Sequence, residues 1–282
     1  MSTFAVVATR LTPTNTRFGP VLSPARALTQ LGAGDVALGR LDVLRTLDGV
    51  EPGLWALDRL SDRGVTVLNP RLALTTAHDK LATAAVLASA RLPHPRTAHV
   101  APWLPLPEIE PPLVLKPRFG SWGLDVFRCD DYDELEVALA EARTRAWFDA
   151  TGGVLQRLVG PRGYDLRIVV AGGRVVGAAR RVAARGEWRT NIALGGRREP
   201  VLPPADACEL ALAAADAVGG DLVGVDLLPA DADTWTILEV NGAVDFTGAY
   251  SLGEEIFAAA RNALIRRRPA RVERVAAFPG TA

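Results

Sequence analysis

Hydrophobic and polar positions alternate along the chain in a way that predicts short strands and helices in succession. In the first 69 residues the pattern predicts two buried strands and two helices, at Phe4–Ala8 and Val65–Leu68 for the strands and at Pro24–Leu31 and Trp55–Arg63 for the helices. Strands that alternate with helices are typical of a small α/β lobe. A loose GxGxxA at 32–37 follows a helix instead of a strand, so we reject a dinucleotide-binding fingerprint there.

The middle of the chain continues with helices, a proline-rich linker and a glycine loop. Thr75 or Thr76 is predicted to cap a helix that runs to about Arg91. The remaining predicted elements are a linker at Ala101–Pro112, strands at Leu113–Pro117, Val126–Arg128 and Val154–Val159, a helix at Asp131–Trp147, a helix from Pro204 to Gly219-Gly220, and a helix at Leu252–Arg266. A glycine loop between two strands can turn backbone N–H groups toward phosphates, although this loop lacks the P-loop order.

Two apolar runs around residues 229–233 predict a β-hairpin. If the turn is centred between Ala232 and Asp233, Asp226 lies opposite Glu239, and Asn241 shares the face of Glu239. Leu238 and Val240 would then fill the other face. Three oxygen ligands would therefore converge on one patch.

Two opposed carboxylates repel each other unless a cation or a shared proton lies between them. Mg²⁺, bound by one or two carboxylates together with substrate phosphates, would remove that repulsion. The alternative is a hairpin edge whose acids face water.

The sequence Ala171-Gly172-Gly173 predicts a second hairpin. The same centring argument places Asp165 opposite Arg180 and on the face of Arg167. A cross-strand ion pair is the structural interpretation of these residues.

Composition narrows the classes of function. The chain has 282 residues, of which 49% are hydrophobic, and a formal net charge of zero. A neutral chain gives no argument for nucleic acid or an anionic membrane as a partner. Cys129 and Cys208 have no metal-ligand spacing and fit a reducing cytoplasm. His78, His94 and His99 form no zinc motif.

Lysine is almost absent. Of the 32 basic residues only Lys80 and Lys116 are lysines, which leaves thirty arginines. A lysine ammonium meets a phosphate as a compact point charge, whereas arginine is a planar fork. We therefore expect a functional need for lysine at these two positions, against the alternative that two codons escaped the bias by chance.

Five motifs in order resemble the ATP-grasp superfamily, and within it the RimK/LysX-like carboxylate–amine ligases. They are Asn69…His78-Asp79-Lys80-Leu81, Lys116-Pro117…Gly120-Ser121-Trp122-Gly123, Gln156…Gly163-Tyr164-Asp165-Leu166-Arg167, Arg181…Trp188-Arg189-Thr190-Asn191…Gly195-Gly196, and Gly224-Val225-Asp226…Leu238-Glu239-Val240-Asn241. The resemblance implies an α/β (α+β) ATP-grasp fold. It divides the chain into a small N-terminal α/β lobe at 1–69, an N-terminal ATP-grasp subdomain with a glycine-rich flap at 70–153, and a C-terminal subdomain with a Mg²⁺ site at 154–282.

The resemblance also implies a role for each matched position. Lys80 and Lys116 would hold ATP phosphates beneath a flap that contains Gly120, Ser121 and Gly123. The remaining implied roles are adenine recognition by the backbone of Gln156, Arg157 and Leu158, ribose binding by Asp165, contact with the γ-phosphate and acyl phosphate by Arg181, Arg189 and Asn191, and Mg²⁺ (or Mn²⁺) binding by Asp226, Glu239 and Asn241.

The implied reaction is attack of a carboxylate on the γ-phosphate of ATP, followed by attack of an amine on the acyl phosphate. The carboxylate could belong to a small molecule, a peptide or a carrier protein, and the amine to an amino acid such as glutamate. Two alternatives remain open, an ATP-grasp small-molecule kinase and a non-catalytic nucleotide-binding regulatory protein. The resemblance is also compatible with a homo-oligomer, either a dimer or a tetramer. After Asn241 the chain reads Gly242-Ala243-Val244-Asp245-Phe246 and lacks the proline of many relatives.

Overall fold

The computed structural model describes residues 2–42, 45–46, 49–50, 53–230 and 234–266. Its strands are β1 Phe4–Val7, β2 Val21–Leu22, β3 Val36–Gly39, β4 Arg45–Thr46, β5 Gly49–Val50, β6 Thr66–Leu68, β7 Thr97–Val100, β8 Leu113–Pro117, β9 Phe127–Cys129, β10 Gly153–Arg157, β11 Tyr164–Ala171, β12 Arg174–Val182, β13 Arg197–Pro200, β14 Leu222–Pro229 and β15 Trp235–Asn241. Its helices are α1 Pro13–Phe18, α2 Pro24–Gln30, α3 Trp55–Asp62, α4 Arg71–His78, α5 Lys80–Ser89, α6 Tyr132–Ala142, α7 Ala146–Thr151, α8 Ala205–Ala217 and α9 Ile256–Arg266.

The N-terminal region forms a parallel sheet in the order β2-β1-β3-β6. Ala5 and Val7 pack with α2 and α3 on one face, while Phe4 and Val6 join the core beneath α9. A parallel sheet needs cover on both faces, which these two cores supply. The GxGxxA at 32–37 follows α2 and runs into β3, the reverse of the strand-to-helix order, so the rejection of the dinucleotide fingerprint is confirmed.

The second sheet is antiparallel, in the order β7-β10-β8-β9. Helices α6 and α7 cover it through Leu135, Leu139 and Phe148. The glycine loop connects β8 to β9 at the edge of this sheet. Strand β10 pairs with both β7 and β8 of this sheet. The boundary predicted at 153/154 would instead assign nearly all of β10 to the C-terminal subdomain. We therefore propose that the second subdomain ends after β10.

The third sheet is antiparallel, in the order β13-β12-β11-β14-β15. Helix α8 packs on one face through small residues such as Ala207, Ala211 and Ala214. Helix α9 and the N-terminal sheet pack on the other face, where Val169 and Phe257 meet. Both of the predicted hairpins therefore lie in one sheet between two cores. Within the described residues, none of the helices is long and apolar enough to cross a membrane.

Three helix predictions are wrong, two because the helix is divided and one because it begins later. The expected helix capped by Thr75 or Thr76 is two helices, because Asp79 has an extended backbone and its side chain accepts from the N–H of Leu81 as the cap of α5. The expected helix at 131–147 is also two, because residues 143–145 close α6 with short-range backbone bonds. The last helix begins at Ile256 instead of Leu252.

Candidate active site

The hairpin β14–β15 brings the two predicted metal-binding carboxylates together. Asp226 pairs with Glu239 across the strands, as the register argument predicts. A bulge follows directly, since Leu227 pairs with Ile237 and leaves Leu238 without a cross-strand partner in the ladder. The turn itself, predicted at Ala232 and Asp233, lies outside the described residues.

The bulge corrects one prediction about the faces of this hairpin. Leu238 was expected on the core face, but it lines the same cleft as Glu239. Ile237 is fully buried and takes the expected core position beside Val240. An extra residue in one strand turns the following side chains over by one step, which places two neighbours on one face.

Two arginines from neighbouring strands bind Asp226. Arg167 on β11 donates two hydrogen bonds to its carboxylate, at 2.6 and 2.7 Å, and Nη2 of Arg181 on β12 lies 2.9 Å from Oδ2. The side chain of Asp226 is only 1% exposed. Burial alone would raise the pKa of Asp226, but the charges of Arg167 and Arg181 hold that pKa well below its usual value. Asp226 is therefore a buried anion that the protein itself neutralises.

Glu239 lies opposite in a different environment. Its Oε1 accepts from Nδ2 of Asn241 at 3.4 Å, and among the described residues it forms no ion pair. The carboxylate is half-buried and lines two adjoining clefts. The described residues contain no cluster of three His, Cys, Asp or Glu side chains that could hold a metal. A cation here would depend on Glu239, on the side-chain oxygen of Asn241 and on oxygens of a bound substrate, which are donors that suit Mg²⁺.

Two clefts meet at Glu239. The inner cleft lies between the second and third sheets. It is lined by all the predicted site residues except Asn241, namely Lys80, Lys116, Gly120, Ser121, Gly123, Gln156, Arg157, Leu158, Asp165, Arg181, Arg189, Asn191, Asp226 and Glu239. The outer cleft extends from Asn241 to the N-terminal sheet, where Arg10 and Arg40 line it.

Lys116 is buried in β8, where its ammonium donates to Oε1 of Gln156 at 2.8 Å. Burial, together with the charge of Lys80, lowers the pKa of Lys116 to about 8. Gln156 is itself held by Thr97, whose hydroxyl accepts from Nε2 at 2.8 Å, and it lies beside His94. The pKa of His94 is lowered to about 4 by burial, so the ring stays neutral. Sequence reasoning missed Thr97 and His94, and the only signal was a histidine between two prolines.

The glycine loop, residues 118–124, is held over the inner cleft by two of the cations assigned to phosphates. Lys80 donates to the carbonyl of Gly120 at 2.7 Å, and Nη1 of Arg189 donates to the carbonyl of Gly123 at 2.8 Å. The base of the loop is fixed by a bidentate ion pair between Arg118 and Asp79. Asp79 belongs to the motif His78-Asp79-Lys80-Leu81, in which the resemblance implies a role only for Lys80.

Asn191 packs directly against this loop. A side chain at Gly123, whose φ is +76°, would place its Cβ 2.6 Å from Oδ1 of Asn191. Glycine is therefore required at this position by both conformation and space. Arg189 is oriented by Glu187, and the hydrogen bonds from Arg189 lower the pKa of Glu187 to about 2.

The register prediction for Asp165 is wrong, while its role in ribose binding stays a prediction. Asp165 pairs with Arg181 instead of Arg180, because a bulge at Val169/Val170 adds one residue to β12. Arg181 donates to both of its carboxylate oxygens, and Thr190 donates to one of them at 2.5 Å. With 1% of the side chain exposed, the carboxylate would have to exchange one of these bonds to accept from a ribose hydroxyl.

Two of the backbone N–H groups in the predicted adenine-binding segment are already bonded within the protein. The backbone N–H of Arg157 donates to the carbonyl of Arg96, and that of Leu158 donates to the carbonyl of Pro112. Both distances are 2.9 Å. Val159 also lines the inner cleft, and no described residue accepts from its N–H. Val159 directly follows the predicted segment, two residues after the end of β10, and its N–H is an additional donor that a base could use.

Comparison with known proteins is consistent with this arrangement. The family model of the RimK-like ATP-grasp domain matches residues 77–260. The tetrahydromethanopterin:alpha-L-glutamate ligase of Methanosarcina acetivorans is 30% identical over 266 residues, or 79% of each chain. The alpha-aminoadipate–LysW ligase LysX of Saccharolobus solfataricus is 31% identical over 189 residues, 65% of this chain and 68% of the relative. The crystal structure of D-alanine–D-alanine ligase from Bacillus anthracis with ATP has a TM-score of 0.66 at 16% identity, covering 95% and 97% of the two chains.

Proposed function

The chain belongs to the RimK-like ATP-grasp family of ATP-dependent carbon–nitrogen ligases, and we propose that it joins an amino acid to the carboxylate of a small molecule, peptide or carrier protein. The observation that carries this proposal is the meeting of the two clefts at Glu239. One cleft brings two lysines, a glycine loop and apolar side chains together, which suits a nucleotide, and the other extends to the arginines beside the N-terminal sheet, where the organic substrates would bind. Glu239 lines both clefts, and the γ-phosphate of ATP would meet the organic substrates beside it.

In this proposal ATP occupies the inner cleft. The base would lie between apolar side chains such as Val114 and Leu228, with its edge toward the N–H of Val159. The phosphates would extend toward Lys80 and Lys116. Both ammonium groups are held now by oxygen acceptors of the protein, a carbonyl and an amide, which phosphate oxygens would replace. Charge-assisted bonds to phosphate are stronger than those to neutral acceptors, which favours the exchange.

The residues on β14–β15 fit Mg²⁺, but they would contribute unequally to its coordination. Glu239 would be the principal protein ligand, since its charge has no ion-pair partner among the described residues. Asn241 would supply an amide oxygen. Asp226, bound by Arg167 and Arg181, would hold β14 in place opposite Glu239. When bound, the metal would neutralise charge on the phosphates of ATP and leave the γ-phosphoryl group open to attack.

The protein contributes positioning and positive charge in place of a covalent intermediate. Attack by the substrate carboxylate forms an acyl phosphate and ADP, and attack by the amine then forms an amide and inorganic phosphate. Arg189, fixed by Glu187 at the rim of the inner cleft, would stabilise the charge that develops on the transferred group. The glycine loop would exclude water, which otherwise hydrolyses the acyl phosphate.

The names of the relatives narrow the proposed substrates. One relative is named as an alpha-L-glutamate ligase and the other as acting between alpha-aminoadipate and LysW. The outer cleft presents Arg10 and Arg40 beside Asp42, which gives charges of both signs. We propose an acidic amino acid as one substrate, and a cytoplasmic reaction on the basis of the two unpaired cysteines.

The test is ADP release with Mg²⁺-ATP against a panel of carboxylates and amino acids, with products identified by mass. The proposal expects release that requires both a carboxylate and an amine and a product equal to their sum less water. Release without any amide when both are supplied would instead identify a kinase. ATP binding without release from any mixture, carrier proteins and acidic peptides included, would identify a regulatory nucleotide-binding protein.

A further inference from the structure

Asn69 is a fully buried residue between the N-terminal sheet and the third sheet. It directly follows β6, and its φ of +50° lies in the left-handed region, which asparagine tolerates better than most residues. Its backbone N–H donates to Oδ2 of Asp221 at 2.6 Å. Its side chain therefore points away from the sheet that it ends, toward β14 and β15.

The side-chain amide of Asn69 binds both strands of the β14–β15 hairpin at its open end. Nδ2 donates to the carbonyl of Leu222 at 2.8 Å and to that of Gly242 at 3.1 Å. Oδ1 accepts from the N–H groups of Asp221 and Leu222 at 2.7 and 2.9 Å. The primary amide thus uses both donors and both acceptor positions, which is its full capacity.

These contacts lie close to the proposed metal ligands. Leu222 begins β14, four residues before Asp226, and Gly242 directly follows Asn241. Since Gly224 pairs with Asn241, the amide of Asn69 closes the open end of the hairpin opposite its turn. We propose that Asn69 is a positioning residue that sets the spacing of β14 and β15, and through it the placement of Glu239 and Asn241 for the metal. This inference rests on the proposed function.

Two further side chains of the N-terminal region bind the segment that follows Asn241, and they give a matched control. Nη2 of Arg40 donates to the carbonyl of Val244 at 2.7 Å, and the hydroxyl of Thr14 donates to that of Phe246 at 3.3 Å. Together with Asn69, they hold every second carbonyl of 242–246. Thr14 makes the same kind of contact five residues from Asn241 and touches neither strand of the hairpin.

The experiment compares Asn69→Gly, Asn69→Asp and Thr14→Val. Glycine keeps the left-handed backbone and removes the amide, while aspartate keeps the acceptor oxygen and removes the donor. Mn²⁺ affinity is measured by electron paramagnetic resonance on each protein in complex with a non-hydrolysable ATP analogue. Affinity for the analogue in EDTA and thermal unfolding are measured in parallel.

We expect both Asn69 variants to bind Mn²⁺ about tenfold more weakly, the usual effect of losing a group that orients a metal ligand. Their affinity for the analogue in EDTA should stay within about twofold, because Asn69 does not line the inner cleft and its hydrogen bonds go to Asp221, Leu222 and Gly242, which do not line that cleft either. Thr14→Val should lower the unfolding temperature without changing Mn²⁺ affinity.

Two results would overturn the inference. The first is a loss of Mn²⁺ affinity in the Asn69 variants no larger than in Thr14→Val, and the second is failure of both Asn69 variants to fold, which would assign Asn69 to the fold as a whole. A wild-type protein that binds the analogue but no Mn²⁺ would instead refute the metal site of the proposed function. The two failures are therefore distinguishable.

Discussion

Two hairpins of the same sheet each carry an aspartate on their first strand, and the residues opposite these two aspartates differ in charge. In β11–β12, Asp165 faces Arg181, and the buried pair neutralises itself. In β14–β15, Asp226 faces another acid, Glu239. The arginines of the first hairpin also serve the second, because Arg167 and Arg181 both reach Asp226.

This difference separates carboxylates that hold the fold from the one that remains for a ligand. Asp165 and Asp226 are both 1% exposed and bound by arginine, so removing either charge leaves a buried guanidinium short of a partner. Glu239 accepts a hydrogen bond from the amide of Asn241 and forms no ion pair with any described residue. The comparison predicts that the same chemical change, carboxylate to amide, affects activity at one site and stability at the other.

The largest expected effect is on turnover in Glu239→Gln. Loss of the principal metal ligand removes several kcal/mol of charge stabilisation, so ADP release should fall by at least about 10³-fold. The free energy of unfolding should change by less than about 1 kcal/mol, since no ion pair is broken. Steady-state ADP release and urea denaturation measure the two quantities. Glu136→Gln, on the exposed face of α6, is the matched control, and turnover of Glu239→Gln within tenfold of wild type would contradict the comparison.

The second expected effect is on stability in Asp165→Asn. This change leaves Arg181 with Asp226 alone, and breaking a buried pair at one partner costs about 3 kcal/mol. Urea denaturation should therefore show a loss of that size, several times the loss in Glu239→Gln. If the two variants are equally stable, the separation between a structural and a ligand-binding carboxylate is wrong.

The smallest expected effect is on the pH dependence of ATP binding through Lys116, whose pKa is lowered from 10.5 to about 8. The ammonium that attracts phosphate is lost above pH 8 in the empty protein, so ATP affinity should decrease as pH rises through that value. Stability should change in the opposite direction. Between pH 8 and 10.5 the unfolded chain binds the proton that the folded chain has lost, so the free energy of unfolding rises with pH.

Lys116→Arg is the control for this pH dependence. Arginine stays charged throughout the range, so the variant should lack the inflection near pH 8. At pH 7 it should bind ATP about tenfold more weakly, because a planar fork replaces a compact ammonium beside Gln156. Calorimetric titration with ATP from pH 6.5 to 9.5 measures both. An inflection that persists in Lys116→Arg would assign it to another group.

Local pairing rules predicted one hairpin correctly and shifted the other by one residue. In both hairpins the bulge lies between the turn and the aspartate. In β14–β15 the predicted turn centre places Leu227 opposite Leu238, but Leu227 pairs with Ile237, and the bulge at Leu238 then restores the predicted pairing of Asp226 with Glu239. In β11–β12 the turn-side pair of Ala171 and Arg174 agrees with the count, so the bulge displaces the pairing of Asp165 by one residue. A bulge has no reliable sequence signal, since it depends on how the strand packs.

The sequence by itself determined the chemistry of the site, through two lysines in a chain of arginines, two facing acids and a glycine loop between strands. These features depend on residue type and on contacts between near neighbours. Only the tertiary structure decided which acid is neutralised, which cations hold the glycine loop, and that Asn69 reaches Gly242. These contacts join residues as far as 173 positions apart in the sequence. Their physical reason is that desolvation and charge pairing act through space, where distance along the chain has no effect.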